Sequence, residues 1–213
     1  FVNLPNFKLL DITRGFEKVR EGIWQPGDEL NADFFQWLDS GDGRRACAWL
    51  HYWDPHRPYA YRTWEYLGKE SPQASRPPLL FNETLFGKGD LGVGRVEGHY
   101  AGRKADRSKP IFVPGSPGRE RLLTADDDRF LVDRYDGGVE YLDRWLGDLV
   151  SGLRQRGLLD DTILVITSDH GETFTERDDE WFCHDPHLTE EVARIPCLIR
   201  FPRGEHGGKR VSS

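Results

Sequence analysis

The sequence contains no methionine and only three cysteines, Cys47, Cys183 and Cys197. An odd and small number of cysteines does not describe a disulfide framework. Long hydrophobic runs are missing too. The longest purely aliphatic stretch is Ile163-Leu164-Val165-Ile166, far short of the about 20 residues a membrane-spanning helix needs. Nor does a signal-like segment, with a charged start and an apolar middle, open the chain; the cytoplasm is the favoured compartment, with secretion or the periplasm as alternatives. Excess positive charge is absent: the net charge is -7 and the pI near 5.5, which excludes a protein that coats phosphate backbones, and no nucleic-acid partner is expected. Lysine is scarce, 7 against 22 arginines, a ratio that suits bidentate grips on oxyanions but that coding bias produces equally well. A chain that begins Phe1-Val2-Asn3 and holds no Met is expected to be a processed or truncated piece of something larger.

What is present is bulky core material. Hydrophobic residues are only 37% of the chain, yet 12 Phe, 7 Trp and 7 Tyr are among them, enough to build a buried core and to argue against disorder of the whole. Asn31 is expected to cap a short helix carrying Phe34, Phe35 and Leu38, stopped at Ser40-Gly41. The run Ala46-Cys47-Ala48-Trp49-Leu50-His51-Tyr52 reads as a buried strand, ended by Pro55 and Pro58. Residues 68–120 hold many Gly and Pro and little periodicity, and read as an irregular surface excursion. From Asp126 the pattern sharpens. Leu131, Tyr135, Val139, Leu142, Leu146, Leu149 and Leu153 recur at helical spacing, acids at 126–128 suit a helix start, and Gly157 suits its end. Thr162–Thr167 is an unalternating, β-branched run that predicts a strand buried on both faces. A short helix near Thr189–Ala193 and a strand Ile195–Phe201 follow. The expected fold class is α/β, a mainly parallel sheet sandwiched by helices.

In such sheets function gathers past the carboxyl ends of the strands. One strand end is Ser168-Asp169-His170-Gly171-Glu172, where a carboxylate and an imidazole can face one divalent ion; the plain reading is a turn-capping Asp beside a surface His. A second is His51 to Tyr59. There His56 sits in a proline-bounded turn, able to meet an anionic ester, while His51 reads as a core histidine. In Cys183-His184-Asp185-Pro186-His187 the His-x-x-His spacing invites zinc but lacks a second ligand pair at finger-like spacing; one histidine reaching a pocket is the simpler reading. Gly92-Val93-Gly94-Arg95-Val96-Glu97-Gly98 has the wrong spacing for a dinucleotide loop. Asn82-Glu83-Thr84 is a glycosylation sequon that matters only in a secreted protein.

Taken in order, Trp49–Tyr59, Tyr135–Asp143, Gly157 through Glu172, and Glu190–Ile199 resemble the sulfatase family of the alkaline-phosphatase-like superfamily, across roughly residues 31–202. The resemblance implies an incomplete alkaline-phosphatase-like fold, with residues 1–213 a partial sulfatase-like catalytic domain. It implies a sulfuric ester hydrolase with a divalent metal, usually calcium, though magnesium or manganese would serve. Asp169 and His170 match two metal ligands of the family, and their side chains are expected to converge on one point. His56 matches a histidine at the sulfate or its leaving oxygen, and His184 falls near a basic residue that also faces the sulfate. The substrate would be a small-molecule or glycan sulfate ester. The family's nucleophile is a formylglycine made within Cys/Ser-x-Pro-x-Arg, and no such run occurs here; it is expected in a missing N-terminal portion, leaving these residues inactive by themselves. A phosphodiesterase, phosphonate monoester hydrolase or phosphoglycerol-type transferase of the same superfamily is the first alternative. A non-catalytic metal-binding module is the second.

Overall fold

The computed structural model describes residues 13–20, 25–41, 45–56, 111–112, 120–121, 125–177, 184 and 188–211. The chain divides into two compact units, Phe1–Leu67 with Arg134–Leu159, and Gly68–Asp133 with Asp160–Ser213. Among the described residues no helix is long and apolar enough to cross a membrane.

In the first unit, helix α1 spans Gly27–Asp39. It starts four residues before the expected cap: Pro26 stands at the N-cap and supplies no side-chain bond. Asn31 is instead inside the helix and buried. Its Nδ2 donates to the Trp145 carbonyl at 2.8 Å and its Oδ1 accepts from the Tyr52 hydroxyl. A capping residue type has thus been recruited to satisfy two other segments, as burial of an amide demands. Leu30 and Phe34 face inward from α1.

Among the described residues Ala46–Tyr52 pairs into no ladder, and residues 45–49 are exposed, where a buried strand was expected. Rings two residues apart contact one another along it. The His51 ring lies edge-on to Trp49 and to Trp53, with centroids 6.3 and 5.8 Å away.

Helix α2, Ala125–Gln155, is the long helix the periodicity predicts. Leu149 and Leu153 are buried, but Val139 is exposed, because its neighbour Gly138 takes the inward position. A Cβ there would stand 3.2 Å from Pro55 Cα and 3.3 Å from the Asp54 carbonyl, so glycine lets the helix backbone reach the turn that carries His56. Gly157, at φ +69, closes α2 as expected. Its N–H donates to the Arg154 carbonyl and the Leu158 N–H to the Leu153 carbonyl, both at 3.0 Å, the paired bonds of a Schellman ending.

In the second unit, β1 (Ile111–Phe112) and β2 (Glu120–Arg121) pair antiparallel; the rest of the expected excursion, 68–110 and 113–119, lies outside the described residues. β3 (Leu164–Thr167) and β4 (Cys197–Arg200) also pair antiparallel, with Val165 opposite Ile199 and Thr167 opposite Cys197. Both two-stranded sheets among the described residues are therefore antiparallel, where parallel neighbours were expected. Helix α3, Glu190–Ala193, lies between β3 and β4 in the chain. β3 was expected to be buried on both faces, but Val165 is 53% exposed and Ile199 is 51% exposed. A two-stranded ladder covers little of its own side-chain surface, and apolar β-branched residues on the outer face are what sequence periodicity cannot distinguish from buried ones.

Candidate functional site

Past the end of β3 the chain turns through Ser168 to Glu172. The Thr167 hydroxyl donates to the Pro196 carbonyl at 2.8 Å, and the Gly171 N–H donates to the Val192 carbonyl at 2.8 Å. These bonds fix the loop between β4 and α3. Gly171 is required by closeness: a Cβ at this position would overlap the Glu191 carbonyl oxygen. Thr173, next along, is fully buried.

Between these anchors Asp169 and His170 sit side by side. Asp169 Oδ1 accepts the His170 backbone N–H at 3.0 Å, a local side-chain-to-backbone bond that holds the carboxylate against its neighbour. The same oxygen is 3.7 Å from His170 Nε2. His170 Nδ1 lies 2.8 Å from the Gly171 carbonyl. Because a carbonyl only accepts, Nδ1 carries the proton and the neutral ring keeps its lone pair on Nε2, the nitrogen beside Asp169.

His184 joins this pair from further along the chain. Its ring stacks on His170 with centroids 4.0 Å apart and planes 21° from parallel. Its Nδ1 lies 3.3 and 3.4 Å from the two Glu172 oxygens. Both side chains are well buried, Glu172 at 5% exposure and His184 at 10%. Three of the four residues singled out from the sequence, Asp169, His170 and His184, are thus brought together. Glu172 is the addition: it stood within the quoted motif without a role, and an acid one residue from a tight glycine and one before a buried threonine was the available signal. Cys183 and His187, on which the zinc reading depends, lie outside the described residues. Among the described residues no three His, Cys, Asp or Glu side chains are arranged to hold a metal ion.

His56, the fourth, belongs to the first unit. Its N–H closes a turn onto the Trp53 carbonyl at 3.0 Å, and its ring stacks on Trp53 with centroids 3.9 Å apart. The turn is seated by Asp54, whose Oδ1 accepts the Gly27 N–H at 3.1 Å at the start of α1, while Oδ2 is buried without a partner. Burial pushes the Asp54 carboxyl up to about 6, against the pull of the Gly27 bond and with a further push from Asp28. Burial, and then the Asp54 charge, also push the Tyr52 hydroxyl well up.

Over residues 14–212 the chain matches the sulfatase family, and it belongs to that family; the family's architecture is the alkaline-phosphatase-like α/β fold. Among characterised relatives, N-sulphoglucosamine sulphohydrolase of Homo sapiens is 31% identical over 141 residues, covering 65% of this chain and 24% of that protein. Choline-sulfatase of Rhizobium meliloti is 37% identical over 68 residues, covering 32% and 13%. Endo-4-O-sulfatase of Bacteroides thetaiotaomicron is 35% identical over 71 residues, covering 33% and 14%. The chain therefore spans about a quarter or less of the length of these relatives.

Proposed function

We propose that the protein containing this chain hydrolyses sulfate esters of small molecules or glycans, assisted by a divalent cation, calcium first and magnesium or manganese as substitutes. Asp169 and His170 are two ligands of that cation in this reading. The nucleophile is a formylglycine supplied from outside residues 1–213. The observation that carries the proposal is the convergence of Asp169 Oδ1 and His170 Nε2 beside the His184 ring, in a chain of the sulfatase family.

The donor set fits such an ion in part. Two ligand atoms each about 2.0–2.6 Å from one cation stand roughly 3–4 Å apart when adjacent in its shell, and the observed separation is 3.7 Å. His170 keeps its lone pair on the correct nitrogen through the Gly171 carbonyl, the usual outer-shell device of ligating histidines. One carboxylate and one imidazole fall short of the several oxygens calcium takes, so further ligands come from elsewhere. When bound, the cation neutralises charge on the nonbridging sulfate oxygens. His184, when both of its ring nitrogens carry a proton, donates a hydrogen bond to the sulfate. His56, held on the Trp53 ring, is the donor to the sulfate or its departing oxygen. The same reading makes β3 and β4 the antiparallel margin of a mainly parallel sheet, which accounts for their half-exposed apolar side chains.

An aryl sulfate assay tests this. The 213-residue chain alone is expected to show no turnover, and metal-dependent turnover by it would refute the division of the site. In the longer protein, Asp169→Asn is expected to lower aryl sulfate turnover by about 100-fold or more. Cleavage of an aryl phosphodiester but not of an aryl sulfate would replace this reading with the phosphoryl-transfer one. Metal binding without any turnover would leave only a metal-binding module.

A further inference from the structure

We propose that Glu172 is a positioning residue that fixes the tautomer and the ring plane of His184. The inference rests on the sulfatase reading for the role of His184, but its geometry stands on its own. The Glu172 side chain is almost fully buried, and both of its oxygens reach the same nitrogen, His184 Nδ1, at 3.3 and 3.4 Å. An ionised carboxylate offers only acceptors, so Nδ1 must be the donor. The imidazole proton is thereby held on Nδ1, and in the neutral ring the lone pair is left on Nε2. The ring face is fixed separately by the stacked His170 ring at 4.0 Å. Edge and face together leave the His184 ring no rotation that keeps both contacts.

This arrangement also links the two functions of the loop. Gly171 lies between His170 and Glu172, and its carbonyl sets the His170 tautomer while its N–H is tied to Val192. One strapped residue thus stands between the group that orients the candidate metal ligand and the group that orients His184. A carboxylate behind an imidazole is a common way to hold a working tautomer, because the alternative ring flip would bury an unpartnered carboxylate.

The test is histidine side-chain nitrogen–proton correlation NMR on the ¹⁵N-labelled 213-residue chain, in metal-free buffer above the ordinary imidazole range. The His184 signals are assigned by their loss in His184→Gln. The expected result is the Nδ1–H tautomer for His184, against the Nε2–H form that imidazoles favour in water. Glu172→Ala is expected to shift His184 toward Nε2–H, and Glu172→Gln, whose amide oxygen still accepts, to restore Nδ1–H. A merely structural role for Glu172 would leave the tautomer unchanged in every folded variant. An Nε2–H tautomer in the unsubstituted chain would overturn the proposal even if Glu172→Ala fails to fold. Neither metal nor turnover enters the measurement, so failure of the sulfatase reading appears in the aryl sulfate assay and failure of the positioning role appears here.

Discussion

Replacing Asp54 by Asn changes the stability of this chain by an amount that depends on pH, and the dependence can be worked out from the turn it seats. Asp54 is a mostly buried carboxyl with one oxygen on the Gly27 N–H and the other without a partner. Burial raises it from its ordinary 3.8 to about 6. The folded chain therefore holds the Asp54 proton more tightly than the unfolded chain does. Below pH 3.8 both states are protonated and the charge imposes no penalty. As pH rises the unfolded chain loses its proton first, so stability falls until the folded carboxyl ionises near 6, and the penalty is constant above that. At 1.36 kcal/mol per pH decade, the step from 3.8 to about 6 amounts to about 3 kcal/mol. Asn keeps an acceptor for Gly27 and never ionises. Its other effects, including an amide N–H₂ placed where Oδ2 had no partner, are the same at every pH. The stability difference between Asp54→Asn and the unsubstituted chain should therefore move by most of about 3 kcal/mol in favour of Asn between pH 4 and pH 8. Urea unfolding followed by tryptophan fluorescence at several pH values measures it, since Trp53 and Trp145 both lie in this unit. A difference that stays constant across that range, or that moves in favour of Asp, would refute the burial argument.

Two further substitutions separate the site from its support. Gly171→Ala places a Cβ onto the Glu191 carbonyl oxygen, a backbone clash that a side-chain rotation cannot relieve. It should destabilise by about 1–3 kcal/mol and weaken protection of the Gly171 amide, read by thermal unfolding and hydrogen exchange; an unchanged chain would mean the loop moves freely. Asn31→Ala removes the donor to the Trp145 carbonyl and the acceptor of the Tyr52 hydroxyl. Leaving those groups unpartnered should destabilise by about 2–4 kcal/mol, and a loss below about 0.5 kcal/mol in urea unfolding would refute the bridging role.

Much of the fold could be read from local chemistry, and the misreadings share a cause. The long helix was legible because its signals are redundant: heptad-like spacing, acids at the start and a glycine at the end. Helix α1 was legible in its apolar residues but not in its start, because Asn31 has the chemistry of a cap and is used as a bridge. The segment at 46–52 was expected as a strand and pairs into none among the described residues, because a ladder needs a partner and a sequence does not name one. Val139 fits the apolar face by spacing, yet Gly138 occupies it, since close backbone approach is a property of the neighbour, the Asp54–Pro55 turn. Each miss is a statement about a second segment made from the first segment alone.

The candidate site shows the same division more sharply. Asp169 and His170 are adjacent in sequence, so the chain itself guarantees their proximity, and only the turn between them had to be inferred. His184 is remote in sequence from this pair, yet its ring stacks directly on His170. The contact that explains it runs through Glu172, which no motif logic required, because a carboxylate in that position reads equally well as a charge standing in solvent. Burial changes its meaning. At 5% exposure a glutamate is too costly to leave unpartnered, and the partner it has found is the nitrogen of a histidine that already faces a candidate metal ligand. The order of motifs therefore identifies the family, while the roles within it depend on which charges the fold takes out of water.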